Sequence, residues 1–391
     1  MDTELPEDVK MIQSTCIKIR EEELMPLEKV VMDLDKKGGW GNEFPKEISD
    51  KLKKRAMEVG LWCGDLPTEL GGGGLSTLAQ NVCTEEFMQT IAPFPRSPGI
   101  GARILLGASE EVKEKYFDKF IKGELSSSFV QSEPGAGSDV SGIQTTAVLE
   151  GDTWHINGHK LWISGADKAD IAFIVAVTDK AKGTHGGIST FVVDTHQPGW
   201  KVVRKIATMG GTDFAMSTCE VLLEDVTTPK NHIVGEEGRG FAQASKFLSN
   251  NRVHMGAMYV GWGTRCLNMS TDYAKKRVTF GEPLSNRQAV QWMLVDSAID
   301  IHATRLMVQH ASWWTDKYPE KDNRQMSSMC RVFGSEMGLK VIDRSIQIHG
   351  GIGYSKDLPL EMIYRRARLF TIGEGPNEIQ RYIIARNIFR G

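Results

Sequence analysis

Trp154-His155-Ile156-Asn157-Gly158-His159-Lys160-Leu161-Trp162-Ile163-Ser164 is the stretch whose reading decides the fold. Asn-Gly tolerates the positive φ angles of a two-residue turn, and the β-branched and aromatic residues on either side suit strands, so a β-hairpin is expected here. Short strand-like runs follow at residues 171–177, 190–193, 201–206 and 219–226, some wholly apolar and some alternating. A compact β-domain is therefore expected over residues 126–238.

On both sides the period changes from two to that of a helix. Toward the N-terminus, Val9, Ile12, Cys16 and Ile19 form one apolar face, and Ile48, Leu52, Ala56, Met57 and Leu61 form another. Breaks fall at Lys36-Lys37-Gly38-Gly39, Pro45, Pro67, Gly71–Gly74 and the proline-rich residues 93–99, while Ser109-Glu110-Glu111 reads as a helix entry. Beyond residue 240, helical periodicity runs through 241–274, 288–316, 326–349 and a final segment, lengths that suit about four antiparallel helices. The predicted fold class is α+β and multi-domain: an N-terminal helical domain (1–125), a central β-domain (126–238) and a C-terminal four-helix bundle (239–391).

With 391 residues, 40% of them hydrophobic, the chain is long enough for several packed layers. A net charge of −3 with no basic stripe argues against nucleic acid as a partner. The six cysteines are widely spaced, without a Cys-x-x-Cys pair or histidines at zinc-ligand spacing, so reduced, buried thiols and no metal are expected. The acidic N-terminus has no signal or transit pattern, and no apolar run reaches membrane-span length, so a cytoplasmic protein is expected.

Five motifs could carry chemistry, and each also has a plain structural reading. Ser132-Glu133-Pro134-Gly135-Ala136-Gly137-Ser138-Asp139 lets a backbone approach a flat or phosphorylated ligand, and is equally turn chemistry. Trp162-Ile163-Ser164-Gly165 offers a ring face and a hydroxyl, or a core tryptophan and a turn serine. In Arg277-Val278-Thr279-Phe280-Gly281, followed by Gln288, a guanidinium beside an aromatic suits a pyrophosphate joined to a ring, or is a solvated loop. Gln347-Ile348-His349-Gly350-Gly351-Ile352-Gly353 is a glycine-rich helix end that could approach phosphate or simply cap the helix. Thr371-Ile372-Gly373-Glu374-Gly375-Pro376-Asn377-Glu378-Ile379-Gln380 reads as a turn entering a helix, with Pro376 at the first helical position. There Glu374 is either a general base with a raised pKa or a partner of the helix dipole.

In this order the five motifs make the chain resemble the acyl-CoA dehydrogenase family over nearly its whole length. The resemblance implies FAD between the β-domain and the bundle, with Phe129, Gln131, Ser132, Trp162 and Ser164 lining the flavin. It implies that Arg277, Phe280, Gln288, Gln347 and Gly351 reach the FAD of a neighbouring subunit, as in a homotetramer. Glu374 matches the family's base, which removes the α-proton of an acyl-CoA thioester while the β-hydrogen leaves as hydride to flavin N5. The developing charge on the thioester oxygen is then met by a flavin hydroxyl and the base's own backbone N–H. Some relatives carry the base immediately before a CoA-contacting arginine; here that position is Asn251, before Arg252, which leaves Glu374. Ser138, Arg252, Gly373 and Gly375 fall on the substrate side, and an electron-transfer flavoprotein is the implied electron acceptor.

Several positions depart from the family pattern. Gly373 replaces a common aromatic, which implies a bulky, branched or polar acyl group. Pro376 replaces a threonine that contacts flavin. Ser249 stands where an acidic residue is frequent, and Met209-Gly210-Gly211-Thr212 replaces a Gly-x-Arg pattern. Together with the Gly-Pro-Asn-Glu ending, these mark a divergent branch. Arg96 and Arg103 fall where relatives acting on dicarboxylyl thioesters bind the distal carboxylate. The alternatives are an oxidase or β-eliminating enzyme of the same fold, and a non-catalytic scaffold.

Overall fold

The computed structural model describes residues 4–37, 44–99, 101–210 and 217–390; of these, the side chains at 185, 241–250 and 390 lie outside the description. The expected break at Gly38-Gly39, Gly211 and Thr212 of the departing motif, and the Ser249 side chain therefore lie outside the described residues.

The N-terminal layer comprises helices α1 (Glu7–Ile19), α2 (Glu28–Lys36), α3 (Lys46–Glu58), α4 (Thr77–Phe87), α5 (Gly101–Leu105) and α6 (Glu110–Ile121). Most of its apolar spacing becomes burial: Val9, Cys16 and Ile19 of α1 and Leu52 and Ala56 of α3 face inward, whereas Met57 is exposed. The Ser76 and Ser109 hydroxyls accept the N–H groups of Ala79 and Val112 and so start α4 and α6, satisfying donors that a helix start leaves open.

Seven strands build one sheet: β1 (Ser127–Val130), β2 (Thr146–Glu150), β3 (Thr153–Ser164), β4 (Ile171–Val177), β5 (Ile188–Asp194), β6 (Trp200–Lys205) and β7 (Thr218–Pro229). Their order is β1-β4-β2-β3-β7-β6, with β5 also on β4 and β1 parallel to β4. The wholly apolar β4 is central and buried on both faces, as its lack of alternation requires.

The expected Asn157-Gly158 hairpin is not formed. β3 runs straight through these residues with a bulge between Ile156 and Gly158, where the Asn157 side chain accepts the N–H of Asp225. Gly158 is needed for close approach: a Cβ there would lie 2.1 Å from Thr145 Oγ1. The two-residue turn is instead Gly151-Asp152, inside the Glu150↔Thr153 pair and with Gly151 at φ +61°.

The C-terminal layer holds α7 (Gly240–Lys276), a small hairpin of β8 (Val278–Thr279) and β9 (Glu282–Pro283), α8 (Gln288–Lys317), α9 (Arg324–His349), α10 (Gly351–Tyr354), α11 (Leu360–Leu369) and α12 (Asn377–Arg390). A Cβ on Gly256 would meet Val308 and Cys330, and one on Gly263 would meet Ile301 and Val341. These contacts run α8 antiparallel to α7, and α9 parallel to it. The fourth place of the bundle is shared, since α11 and α12 both pack on α9. Helix α12 begins one residue later than expected: the Pro376 carbonyl accepts the N–H of Gln380 at 3.1 Å, so Pro376 precedes the first helical residue.

One apolar cluster runs from Cys16, Leu24 and Val31 through Tyr259 and Val260 to Val341 and Ile363, fusing the two helical layers. Ion pairs between Glu28 and Arg265 and between Asp35 and Arg365 cross the same boundary, each at 2.9 Å. All six cysteines are buried and unpaired. Among the described residues, no helix is long and apolar enough to cross a membrane and no group of side chains has metal-ligand geometry.

Candidate active site

Between α11 and α12 the chain makes a tight loop whose backbone is held from below by α9. Arg331, fully buried, donates to the carbonyls of Phe370 at 3.0 Å and Glu374 at 2.9 Å, and also to that of Gly373. Gln380 donates to the Gly375 carbonyl at 3.0 Å and accepts from the Ser328 hydroxyl, while Asn377 exchanges hydrogen bonds with Ser335. Glu374 is left-handed at φ +54° and Gly375 follows at φ +84°. Such a conformation in a glutamate persists only where its surroundings over-determine it, and Arg331 with Gln380 does so.

The Glu374 carboxylate meets Asn251 Nδ2, which donates to Oε2 at 2.5 Å. Burial within the surrounding protein pushes its pKa up, opposed by the Asn251 hydrogen bond and the charges of Arg331 and Arg252. Glu374 also keeps a solvent-accessible face. The carboxylate thus stands in an open recess, and the upward shift takes full effect when an apolar group displaces the remaining water. Its carbonyl is occupied by Arg331, but among the described residues its backbone N–H donates to no protein acceptor. Beside it, Arg252 has Nε and Nη1 buried without a hydrogen-bond partner, two donors suited to a ligand oxygen.

The β-domain brings a second group together. Phe129 on β1 is followed by Gln131 and Ser132, and the Ser132 carbonyl accepts the N–H of Leu161 at 2.9 Å. Next to Leu161, a break in register leaves Trp162 at φ +65° with 57% of its surface exposed. The Ser164 carbonyl accepts the Ser128 hydroxyl at 2.7 Å. Phe129, Gln131, Ser132, Trp162 and Ser164 therefore lie along one strip of the sheet. Ser138 is exposed in the loop beyond, where Gly135 and Gly137 face open space.

A third group lies at the far end of the bundle. Arg277 and Gly351 line one cavity of about 430 Å³ with Tyr273, Thr279, Leu284 and His349. Phe280 sits at the tip of the β8–β9 hairpin at φ +52°, 98% exposed, with the Arg287 guanidinium 5.9 Å over its ring. Gln288 opens α8 and Gln347 lies near the end of α9, both exposed. No hydrogen bond or ion pair joins this group to the β-domain strip among the described residues. The Arg277 guanidinium and the open glycine backbone supply donors and the exposed Phe280 ring an apolar face, a set that fits a dinucleotide, with Gly350, Gly351 and Gly281 leaving space where a side chain would stand.

Arg96 and Arg103 have protein partners already. Arg96 donates to the Thr84 hydroxyl at 2.8 Å and the Gln80 carbonyl at 3.3 Å, and Arg103 is paired with Asp65. Met209 is exposed, and the Gly210 carbonyl accepts from Arg365. Two buried cations behind these groups, Arg331 and Lys160, belong to none of the five motifs. Arg331 is a lone arginine inside the otherwise packed Cys330–Val332 turn of α9, and Lys160 is a lysine in a strand at an inward position; in each case the signal was charge where the period calls for apolar burial.

The acyl-CoA dehydrogenase N-terminal, middle and C-terminal domain models match residues 6–124, 128–226 and 238–389. The chain is 33% identical to (R)-benzylsuccinyl-CoA dehydrogenase of Thauera aromatica, covering 99% of this chain and 97% of that one. It is 35% identical to the caffeyl-CoA reductase-Etf complex subunit CarC of Acetobacterium woodii, covering 97% of each. A solved structure described as PigA with FAD and proline superposes with a TM-score of 0.88 at 25% identity, covering both chains completely. With three domain models in succession and relatives spanning its whole length, the chain belongs to the acyl-CoA dehydrogenase family, oxidoreductases acting on CH–CH bonds.

Proposed function

We propose that this protein is an FAD-dependent acyl-CoA dehydrogenase that desaturates the α,β-bond of an acyl thioester, with Glu374 as the base. The observation that carries the reading is the Glu374 loop itself: a carboxylate in a recess, on a backbone fixed by Arg331, with an unspent N–H beside it. Bound FAD supplies the hydride acceptor, held by Phe129, Gln131, Ser132, Trp162 and Ser164, with Arg277, Phe280, Gln288, Gln347 and Gly351 serving a second copy's FAD.

Glu374 takes the α-proton, and Asn251 orients its carboxylate. The Glu374 N–H is available to the thioester oxygen as negative charge develops there, the kind of donor typically worth about 3–4 kcal/mol in a transition state. Burial under the acyl chain raises the base toward the acidity of the α-carbon, so that proton transfer is better matched. The unpartnered Arg252 donors suit an oxygen of the CoA portion. Ser138 and Gly375 lie on the substrate side, and Gly373 leaves room for a bulky acyl group, since even a Cβ there would meet only Leu369 atoms at 3.6 Å and beyond.

An electron-transfer flavoprotein is the proposed acceptor, in keeping with the Etf complex named for the Acetobacterium woodii relative. That relative is named a reductase, which favours a second reading: the same site run in reverse, with protonated Glu374 delivering the α-proton. A homotetramer is also proposed. Phe280 and the exposed stripe of Trp292, Val295 and Ile299 on α8 suit coverage by another copy. The test is anaerobic titration of the purified flavoprotein with saturated and unsaturated acyl-CoAs of different length, branching and terminal charge. Flavin bleaching by a saturated thioester, followed by reoxidation with electron-transfer flavoprotein and not with oxygen, is expected. A colourless protein that refuses FAD would end the proposal.

A further inference from the structure

Behind the β-domain strip lies an ion pair that the proton-abstraction chemistry does not use. Lys160 on β3 is 0% exposed, and its ammonium donates to Glu133 Oε1 at 2.9 Å, the Gln131 carbonyl at 2.9 Å and the Val175 carbonyl at 2.8 Å. All three donors of the ammonium are thus used. Glu133, also buried, accepts from Lys160, from the Thr145 N–H at 3.0 Å, from the Thr145 hydroxyl at 2.5 Å and from the Gln144 N–H at 2.7 Å. The pair therefore knots four segments: the loop after β1, the start of β2, the middle of β3 and the middle of β4.

Burying two charges is expensive, and an apolar pair of equal volume often serves stability as well or better, so stability alone does not account for one. What this pair fixes is specific. It holds the Gln131 carbonyl, one residue before Ser132; the Ser132 carbonyl is bonded to Leu161, and Leu161 precedes the left-handed Trp162. Lys160 is thus two residues from the exposed ring on one strand, and grips the neighbouring segment from below. Burial pulls the Lys160 pKa down to about 8 against the opposing charge of Glu133. Burial also pushes Glu133 up, but the Lys160 charge and the Thr145 and Gln144 hydrogen bonds outweigh it and hold it low. At neutral pH both members are charged.

We infer that Lys160 and Glu133 are positioning residues that set the Gln131-Ser132 segment against Trp162, and through them the seat of the flavin ring. The inference rests on the flavin assignment made above. Neither residue touches the reacting atoms; each acts through the strip that it underpins. A neutral, near-isosteric pair leaves no buried charge unpaired but gives up all three bonds of the ammonium, so the loop loses its anchor while the sheet keeps its core.

The test compares the wild-type protein, stripped of and reloaded with FAD, with Lys160→Met/Glu133→Gln and with Glu133→Gln alone. Three readouts are taken: melting of the apoprotein, FAD affinity by fluorescence quenching, and the visible circular dichroism of the bound flavin. Expected are a folded apoprotein with lowered melting, lowest in Glu133→Gln alone because Lys160 is left charged without its partner, FAD binding weakened by about tenfold or more, and an altered flavin dichroism. A folded variant with wild-type affinity and dichroism would overturn the inference. So would failure of both variants to fold, which would make the pair a device of stability alone. A wild-type protein that takes up no FAD would overturn the flavin assignment itself, an outcome distinct from equality of variant and wild type.

Discussion

At the scale of the residue, Glu374 and Asn251 form the pair on which the chemistry is proposed to turn. The Asn251 donor stabilises the ionised carboxylate, against the burial that pushes its pKa up. Since the base must be ionised, flavin reduction by substrate is expected to fall as pH drops through a midpoint above the ordinary carboxylate range. Asn251→Ala removes the donor and moves that midpoint further up; stopped-flow bleaching rates across pH measure it, and an unmoved midpoint contradicts the assigned contact. The linked stability effect has the opposite sense. A carboxyl whose folded pKa is raised binds its proton more tightly when folded, so its contribution to stability declines as pH rises from the unfolded value through the raised one. Gly373 carries the specificity prediction: Gly373→Tyr closes the space beside the base, and kcat/KM should fall most for the bulkiest acyl-CoA that the wild type accepts. An unchanged ranking of substrates would remove Gly373 from the acyl wall.

At the scale of the element, the loop before α12 is stiff because α9 supplies Arg331. Arg331→Met leaves the carbonyls of Phe370, Gly373 and Glu374 without their donor in a buried place, an expected loss on the order of 2–3 kcal/mol, visible as a lowered melting temperature. Melting unchanged from wild type would show that those carbonyls find other donors. In β3, Gly158→Ala drives a Cβ into the Thr145 hydroxyl, and overpacking of this kind costs about 1–3 kcal/mol. Denaturant unfolding measures the loss; no loss would mean that Thr145 can move aside. These two elements show where the sequence could be read and where it could not. The strand propensity of residues 154–164 was legible from its β-branched and aromatic residues, but Asn157-Gly158 serves a bulge and a close approach, and only tertiary contact separates that from a turn. Pro376 suits a first helical turn by its fixed φ, whereas here it supplies the carbonyl that starts the helix.

At the scale of the molecule, the α, β, α order follows from changes of apolar period, which is local information. The joining of layers is not local: Glu28 with Arg265, Asp35 with Arg365, and Lys160 with Glu133 pair residues distant along the chain. The candidate site was legible where motifs cluster, at Trp162 beside Ser132 and at Arg277 beside Gly351. It was illegible where a buried charge props a motif up from behind, because one sequence does not show which inward charges find partners. The central claim joins all three scales, since the Glu374 carboxylate, its loop and the packed domains must together deliver a base to an acyl thioester. The most direct measurement is anaerobic flavin bleaching by acyl-CoA in Glu374→Gln. FAD content and acyl-CoA binding should stay close to wild type, while the bleaching rate falls by roughly a thousandfold or more; bleaching at a near-wild-type rate would contradict the assignment of Glu374 as the base.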